Sequence, residues 1–244
     1  MRIVAYDITA RVSLMQIGEI LVRLDADVVG LNGVQGSREL RGLARAANLE
    51  VAAKGAARGS ISAVLVKTGV NVRSAERIEL ATSRGSTSRS AAHAIVGGEG
   101  GSLSVSALDF GLRGEVRRRN LELLTGFLAG ISPPTIIAAS CHESTSGPVV
   151  RELAATWHDA FAVAGVGSAE TYPASEPVAR HDFVFVDRRL RVAQCMVDGA
   201  FPVSEAAKHR PVVVEVSRVP AQVLGETRAS ATDGAGDASS TIRR

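Results

Sequence analysis

Lysine is almost missing from this chain: it occurs at Lys54, Lys67 and Lys208, which leaves arginine as 25 of the 28 basic residues. Such a skew reflects a GC-rich coding bias more than a partner. An excess of one charge is also missing, since 28 basic residues stand against 25 acidic ones, a net +3 over 244 residues. That balance permits contact with phosphorylated ligands or nucleic acid without requiring it. Cysteine is scarce. Cys141 and Cys195 lie far apart without metal-ligand spacing, which argues against a disulfide framework and for a reducing compartment. No apolar run approaches the roughly 20 residues that span a bilayer, so membrane insertion is not expected. The start "MRIVAYDI" lacks the charged segment, apolar run and cleavage site of a signal peptide. Together these absences predict a cytoplasmic protein.

What is present is an alternation of short apolar runs and helical periodicity. Residues 3–8 read as a buried strand, and Leu14, Ile17, Ile20, Leu21 and Leu24 then recur at helical spacing. A second β-branched run, "ADVVGLNGV" at 26–34, precedes a helical stretch over 37–47 with Ser37 as its N-cap. From "LEVAAKG" onward, strands separated by Gly and Ser follow at 61–68, 91–98 and 102–110, with a hairpin turn in "GGEGGSLS". Next come an amphipathic helix over 115–129, a buried strand "PTIIAAS" and a helix over 148–157. "HDFVFVD", "LRVAQCMVD" and "RPVVVEVSR" complete the strands. Helices falling between two sets of strands imply two packed sheets with helices outside, in one domain over 1–218. Residues 219–244 carry almost no apolar side chains and are expected to be a disordered tail.

Five phrases occur in a telling order between residues 2 and 218: "RIVAYDI", "LDADVVGLNGV", "PTIIAASCH", "TYPASEPVARHDFVFV" and "KHRPVVVEV". In this the chain resembles the endonuclease/exonuclease/phosphatase superfamily of abasic-site nucleases, deoxyribonuclease I and inositol phosphatases. The resemblance implies the DNase I-like four-layer α/β sandwich, two packed mixed β-sheets flanked by helices. It also implies phosphoester hydrolysis with one or two divalent cations held by carboxylates. Individual residues depart from that chemistry. The metal-binding Glu of the second strand is Gly33, beside Asn32 at a Gln position. The Asp that orients the attacking water and its companion Asn fall at Ser140 and His142, and a hydroxyl is a poor replacement for a carboxylate. Asp7 stands for an Asn, Asp109 for a His and Lys208 for an Asp. What remains is His209, matching the catalytic His, and Asp182, matching the carboxylate that orients it.

The joint loss at Gly33, Ser140, His142 and Lys208 predicts a non-catalytic relative, a pseudoenzyme that binds an unidentified protein or a phosphate-containing ligand, with no cofactor expected. The remnant pair His209 and Asp182 is expected to tie two strand ends together or to retain an anion. A competing expectation relocates the metal site onto Asp7, Asp109 and His142, joined by His209, holding Mg²⁺ or Mn²⁺ in an altered phosphodiesterase, phosphatase or nuclease. A third is a nucleic-acid-binding module without cleavage. Arg117, Arg118 and Arg119 would serve it, on a helix where Asn120 takes a Gln position, although a solvated face is the plainer reading. Cys141 beside His142 makes a poor thiol nucleophile, because adjacent residues of an extended strand face opposite sides. His93, His158 and His181 have no partner at a recognisable spacing and are expected to be structural or surface residues.

Overall fold

The apolar runs resolve into two sheets. The computed structural model describes residues 1–55, 60–82, 89–98 and 101–218. Its first half comprises β1 (Arg2–Asp7), α1 (Leu14–Leu24), β2 (Val28–Gln35), α2 (Ser37–Ala46), β3 (Leu49–Lys54), β4 (Ser60–Lys67), β5 (Val72–Leu80), β6 (Arg89–Gly98) and β7 (Gly101–Asp109). The second half comprises α3 (Gly114–Leu128), β8 (Thr135–Ser140), α4 (Pro148–Thr156), β9 (His158–Asp159), α5 (Ala160–Ala164), β10 (Gly165–Val166), β11 (Asp182–Val186), β12 (Leu190–Val197), α6 (Val203–Ala206) and β13 (Val212–Arg218).

One sheet runs β10-β12-β13-β1-β2-β4-β3 and the other β5-β6-β7-β8-β11-β9. Both are mixed, with β1 parallel to β2 and β7 parallel to β8. Alternate side chains sort the layers. Ile3, Ala5 and Val214 meet Ala107, Ala138 and Val184 between the sheets, whereas Val4 and Tyr6 face α1 with Ile17, Ile20 and Leu21. On the far side, Leu108, Ile137, Phe183 and Phe185 pack under α3 and α4 through Leu121, Leu124, Val149 and Leu153. Burial on both faces is why these strands read as nearly continuous apolar runs. The sheets approach so closely at Gly30 that a Cβ there would lie 2.3 Å from the Ala138 Cβ.

Two expectations need correction, and one strand went unread. The N-cap of α2 is Gly36, not Ser37, and no side chain caps there; Glu39 instead accepts the Gln35 N–H at 2.9 Å. The strand β5 has no apolar alternation to announce it, because it is a largely exposed edge. Its partner β6 covers one side only. The Arg117 side chain is not solvated: it donates to Glu143 at 3.0 Å and to the Leu112 carbonyl at 2.6 Å, while Arg118 and Arg119 are exposed. Asn120 is buried and joins β5 to β7, accepting the Ala81 N–H at 2.7 Å and donating to the Phe110 carbonyl at 3.0 Å. The turn at 99–100 and the tail 219–244 lie outside the described residues. Among the described residues no helix is long and apolar enough to cross a membrane.

Candidate functional site

Strand register assembles the polar residues at one end of the sandwich. Asp7 lies opposite Asn32 across β1 and β2, and Ser140 lies between Asp109 and Asp182 across β7, β8 and β11. Asn32 joins the two sheets, donating from Nδ2 to the Leu108 carbonyl at 3.0 Å. Both oxygens of buried Asp182 are engaged. Ser140 Oγ donates to Oδ1 at 2.8 Å, Thr171 Oγ1 donates to Oδ2 at 2.7 Å, and His209 Nδ1 lies 2.7 Å from Oδ2. Burial opposes ionisation of Asp182, but the His209 ring and the two hydroxyls hold its pKa below the ordinary carboxylate range. Burial likewise opposes charge on His209, and the bond to Asp182, aided by Asp7 and Asp109, raises it to about 9. The pair is therefore carboxylate and imidazolium at neutral pH.

Asp109 forms a second cluster. Its Oδ1 accepts the Gly111 N–H at 2.7 Å and lies 2.9 Å from His142 Nε2, and its Oδ2 pairs with Arg89. Burial works against the charge, yet these partners hold Asp109 at about 2. His142 follows β8 in a left-handed backbone conformation (φ 52°), and despite burial the Asp109 carboxylate raises its pKa. Asp7, Asp109 and His142 thus do not converge as one ligand set. Asp7 groups instead with Asp182 and His209, one ligating atom of each lying within 4.8 Å of the others.

These residues do not fit the divalent cation that the resemblance implies. Both Asp182 oxygens already accept hydrogen bonds from side chains, and residue 33, where the resemblance implies a metal-binding Glu, has no side chain to offer. At Gly33 the backbone has φ +85°, and a Cβ would sit 2.3 Å from Thr9 N. Thr9 N in turn donates to Asp7 Oδ1 at 2.7 Å, so main chain fills the place a side chain at 33 would take. Arg11 clamps this loop, reaching the Gly33 carbonyl at 3.4 Å and pairing with Glu39. Asp7 Oδ2 and Asn32 Oδ1 are buried and have no partner among the described residues.

Three participants escaped the sequence reading. Thr171 bridges to Asp182. His181 is no isolated histidine: the rings of His142, His181 and His209 form a near-equilateral triangle, with centroids 6.2, 6.3 and 6.4 Å apart. Tyr172 stacks on His181 at 5.1 Å and lies 4.9 Å from His209. Burial, then the charges of His142 and His209, lower the His181 pKa. The phrase "TYPASEPVARHD" contains all of them, but their approach depends on a turn closed by the Tyr172–Ala179 bridge. Lys208 is exposed beside His209, His93 is buried elsewhere in the core, and Cys141 is buried behind the site, its N–H donating to the His181 carbonyl at 2.8 Å. Burial pushes the Cys141 thiol well up, which removes it as a nucleophile.

Two mixed sheets face to face, helices outside and a polar site where strand ends meet define a DNase I-like α/β sandwich. This is the fold of the endonuclease/exonuclease/phosphatase superfamily. The superfamily protein from Bacteroides vulgatus superposes with a TM-score of 0.77 at 15% identity, over 89% of this chain and 98% of that one. The mannosyl-6-phosphatase of Bacteroides thetaiotaomicron gives 0.77 at 14% identity, over 89% and 99%. The human Nocturnin catalytic domain with bound sulfate anion gives 0.62 at 13% identity, over 90% and 94%. No family model and no curated protein matches the sequence.

Proposed function

We propose that this protein is a non-catalytic relative of the superfamily enzymes that binds a phosphate-bearing ligand or partner at the site around His209. The observation that carries the loss of catalysis is the Thr9 main chain in the place of a side chain at residue 33. Three further features agree with it. Ser140 donates its hydroxyl to Asp182 where a water-orienting carboxylate is needed, and His209, already protonated at neutral pH, is unsuited to accept a proton as a general base. Lys208 replaces a carboxylate with a cation. With His209 Nδ1 on Asp182 and His142 Nε2 on Asp109, each of these rings keeps a second nitrogen that can donate to an anion.

Calorimetric titration of chelator-treated protein tests this reading with inorganic phosphate, Mg²⁺ and Mn²⁺ as separate probes. Saturable phosphate binding is expected, weakened at least about tenfold by His209→Gln because a charge-assisted hydrogen bond is lost. It should also weaken as pH rises through about 9, where the imidazolium loses its proton. No cation binding is expected up to about 10 mM, which would reveal even a weak carboxylate site. Saturable Mn²⁺ binding abolished by Asp7→Asn, together with Mn²⁺-dependent phosphoester turnover, would instead establish a relocated metal centre. Duplex binding whose log affinity falls linearly with log salt would support the nucleic-acid module.

A further inference from the structure

We infer that the ligand is a phosphate monoester and that His181 is the residue that selects it over a phosphodiester, an inference that rests on the anion-site reading above. Each ring of the triangle keeps a nitrogen for a ligand. His209 uses Nδ1 on Asp182 and keeps Nε2; His142 uses Nε2 on Asp109 and keeps Nδ1. The His181 ring has no hydrogen bond among the described residues. The sides of 6.2 to 6.4 Å are nearly equal.

That triangle is too open for a metal. Asp7, Asp182 and His209 are the only described group with ligating atoms all within 4.8 Å, so the three imidazoles do not close around one ion at the roughly 2.1 Å that a metal–nitrogen bond needs. A tetrahedral oxyanion is larger. It can take one N–H at about 2.8 Å on each of three different oxygens, bridging rings that a single ion cannot. Asp7, Asp182 and His209 are buried, whereas His142 and His181 are half-buried and Tyr172 is exposed, so a ligand would approach past the latter three.

A phosphate monoester presents three non-bridging oxygens to three rings. A diester presents two, leaving one N–H against an ester oxygen or its alkyl group, and a donor desolvated without a partner is costly. His142 and His209 are each committed to a carboxylate, whereas His181 is held by stacking on Tyr172. His181 is therefore the ring whose only polar task is the third oxygen.

The test is calorimetry at pH 7 with inorganic phosphate, phenyl phosphate and methyl phenyl phosphate on the wild type, His181→Leu and His181→Gln. The wild type should bind phenyl phosphate at least tenfold more tightly than methyl phenyl phosphate. The ratio should fall below threefold in His181→Leu, which has no donor, and largely survive in His181→Gln, which keeps one. Because His181 is held below its ordinary pKa, this loss removes a donor and not a charge. A wild-type ratio near one, or a ratio unchanged in His181→Leu, overturns the inference. If inorganic phosphate binds while the ratio is one, the monoester assignment alone fails; if inorganic phosphate does not bind, the anion site fails with it.

Discussion

His93 and His209 begin from the same ordinary pKa and are driven apart by their surroundings. His93 lies on β6 under Phe127, with Nδ1 2.9 Å from Ser106 Oγ and Nε2 unpartnered among the described residues. Burial without a countercharge lowers it to about 4. A depressed histidine favours the fold while neutral, so its contribution is intact above about pH 6.5 and declines as pH falls toward 4, by at most about 3 kcal/mol. His209 behaves oppositely: its contribution is intact below about 6.5 and is lost as pH rises through about 9. Stability should therefore peak near pH 6.5. Urea midpoints across pH are expected to show the acid limb flattened by His93→Leu and the alkaline limb by His209→Gln. An acid limb that persists unchanged in His93→Leu would refute the assignment.

At the scale of the element, the end of β2 decides the site. Its pairing with β4 shifts register between Leu31 and Val34, and Gly33 then Gly36 take positive φ. A side chain in such backbone costs about 1–3 kcal/mol by itself. Only Gly33 adds a collision with Thr9, since a Cβ at Gly36 meets nothing within 4 Å. Gly33→Ala is accordingly expected to lower the denaturation midpoint more than Gly36→Ala; equal losses would mean that the Thr9 loop moves aside freely. The strands β1, β2, β8 and β11 were legible because both of their faces are buried, and α1 because its apolar face repeats at helical spacing. Strand β5 was not, since an exposed edge leaves its side chains unconstrained. Arg117 resembled its exposed neighbours in sequence, and only Glu143, brought close by the packing of α3 and α4, distinguishes it.

For the whole molecule, replacing residues by type should not restore chemistry. The fourfold change Gly33→Glu, Ser140→Asp, His142→Asn and Lys208→Asp reinstates the side chains the superfamily resemblance implies. It also breaks the Ser140–Asp182 and His142–Asp109 contacts and forces a side chain onto Thr9. The expected product unfolds at lower denaturant and does not turn over bis(p-nitrophenyl) phosphate with Mn²⁺. Turnover that disappears on adding chelator would show that the loss was chemical and the scaffold intact. The sequence by itself determined the two-sheet architecture, because burial periodicity is a local property, and its resemblance to the superfamily pointed to Asp182 and His209 and to the missing carboxylates at 33 and 140. Only the tertiary structure decided that Thr9 occupies the space beside Gly33, that Asp109 belongs to His142 and Arg89, and that His181 completes a triangle with His142 and His209. Those contacts join strands and loops distant in sequence, and it is the register and close approach of the two sheets that bring them within reach.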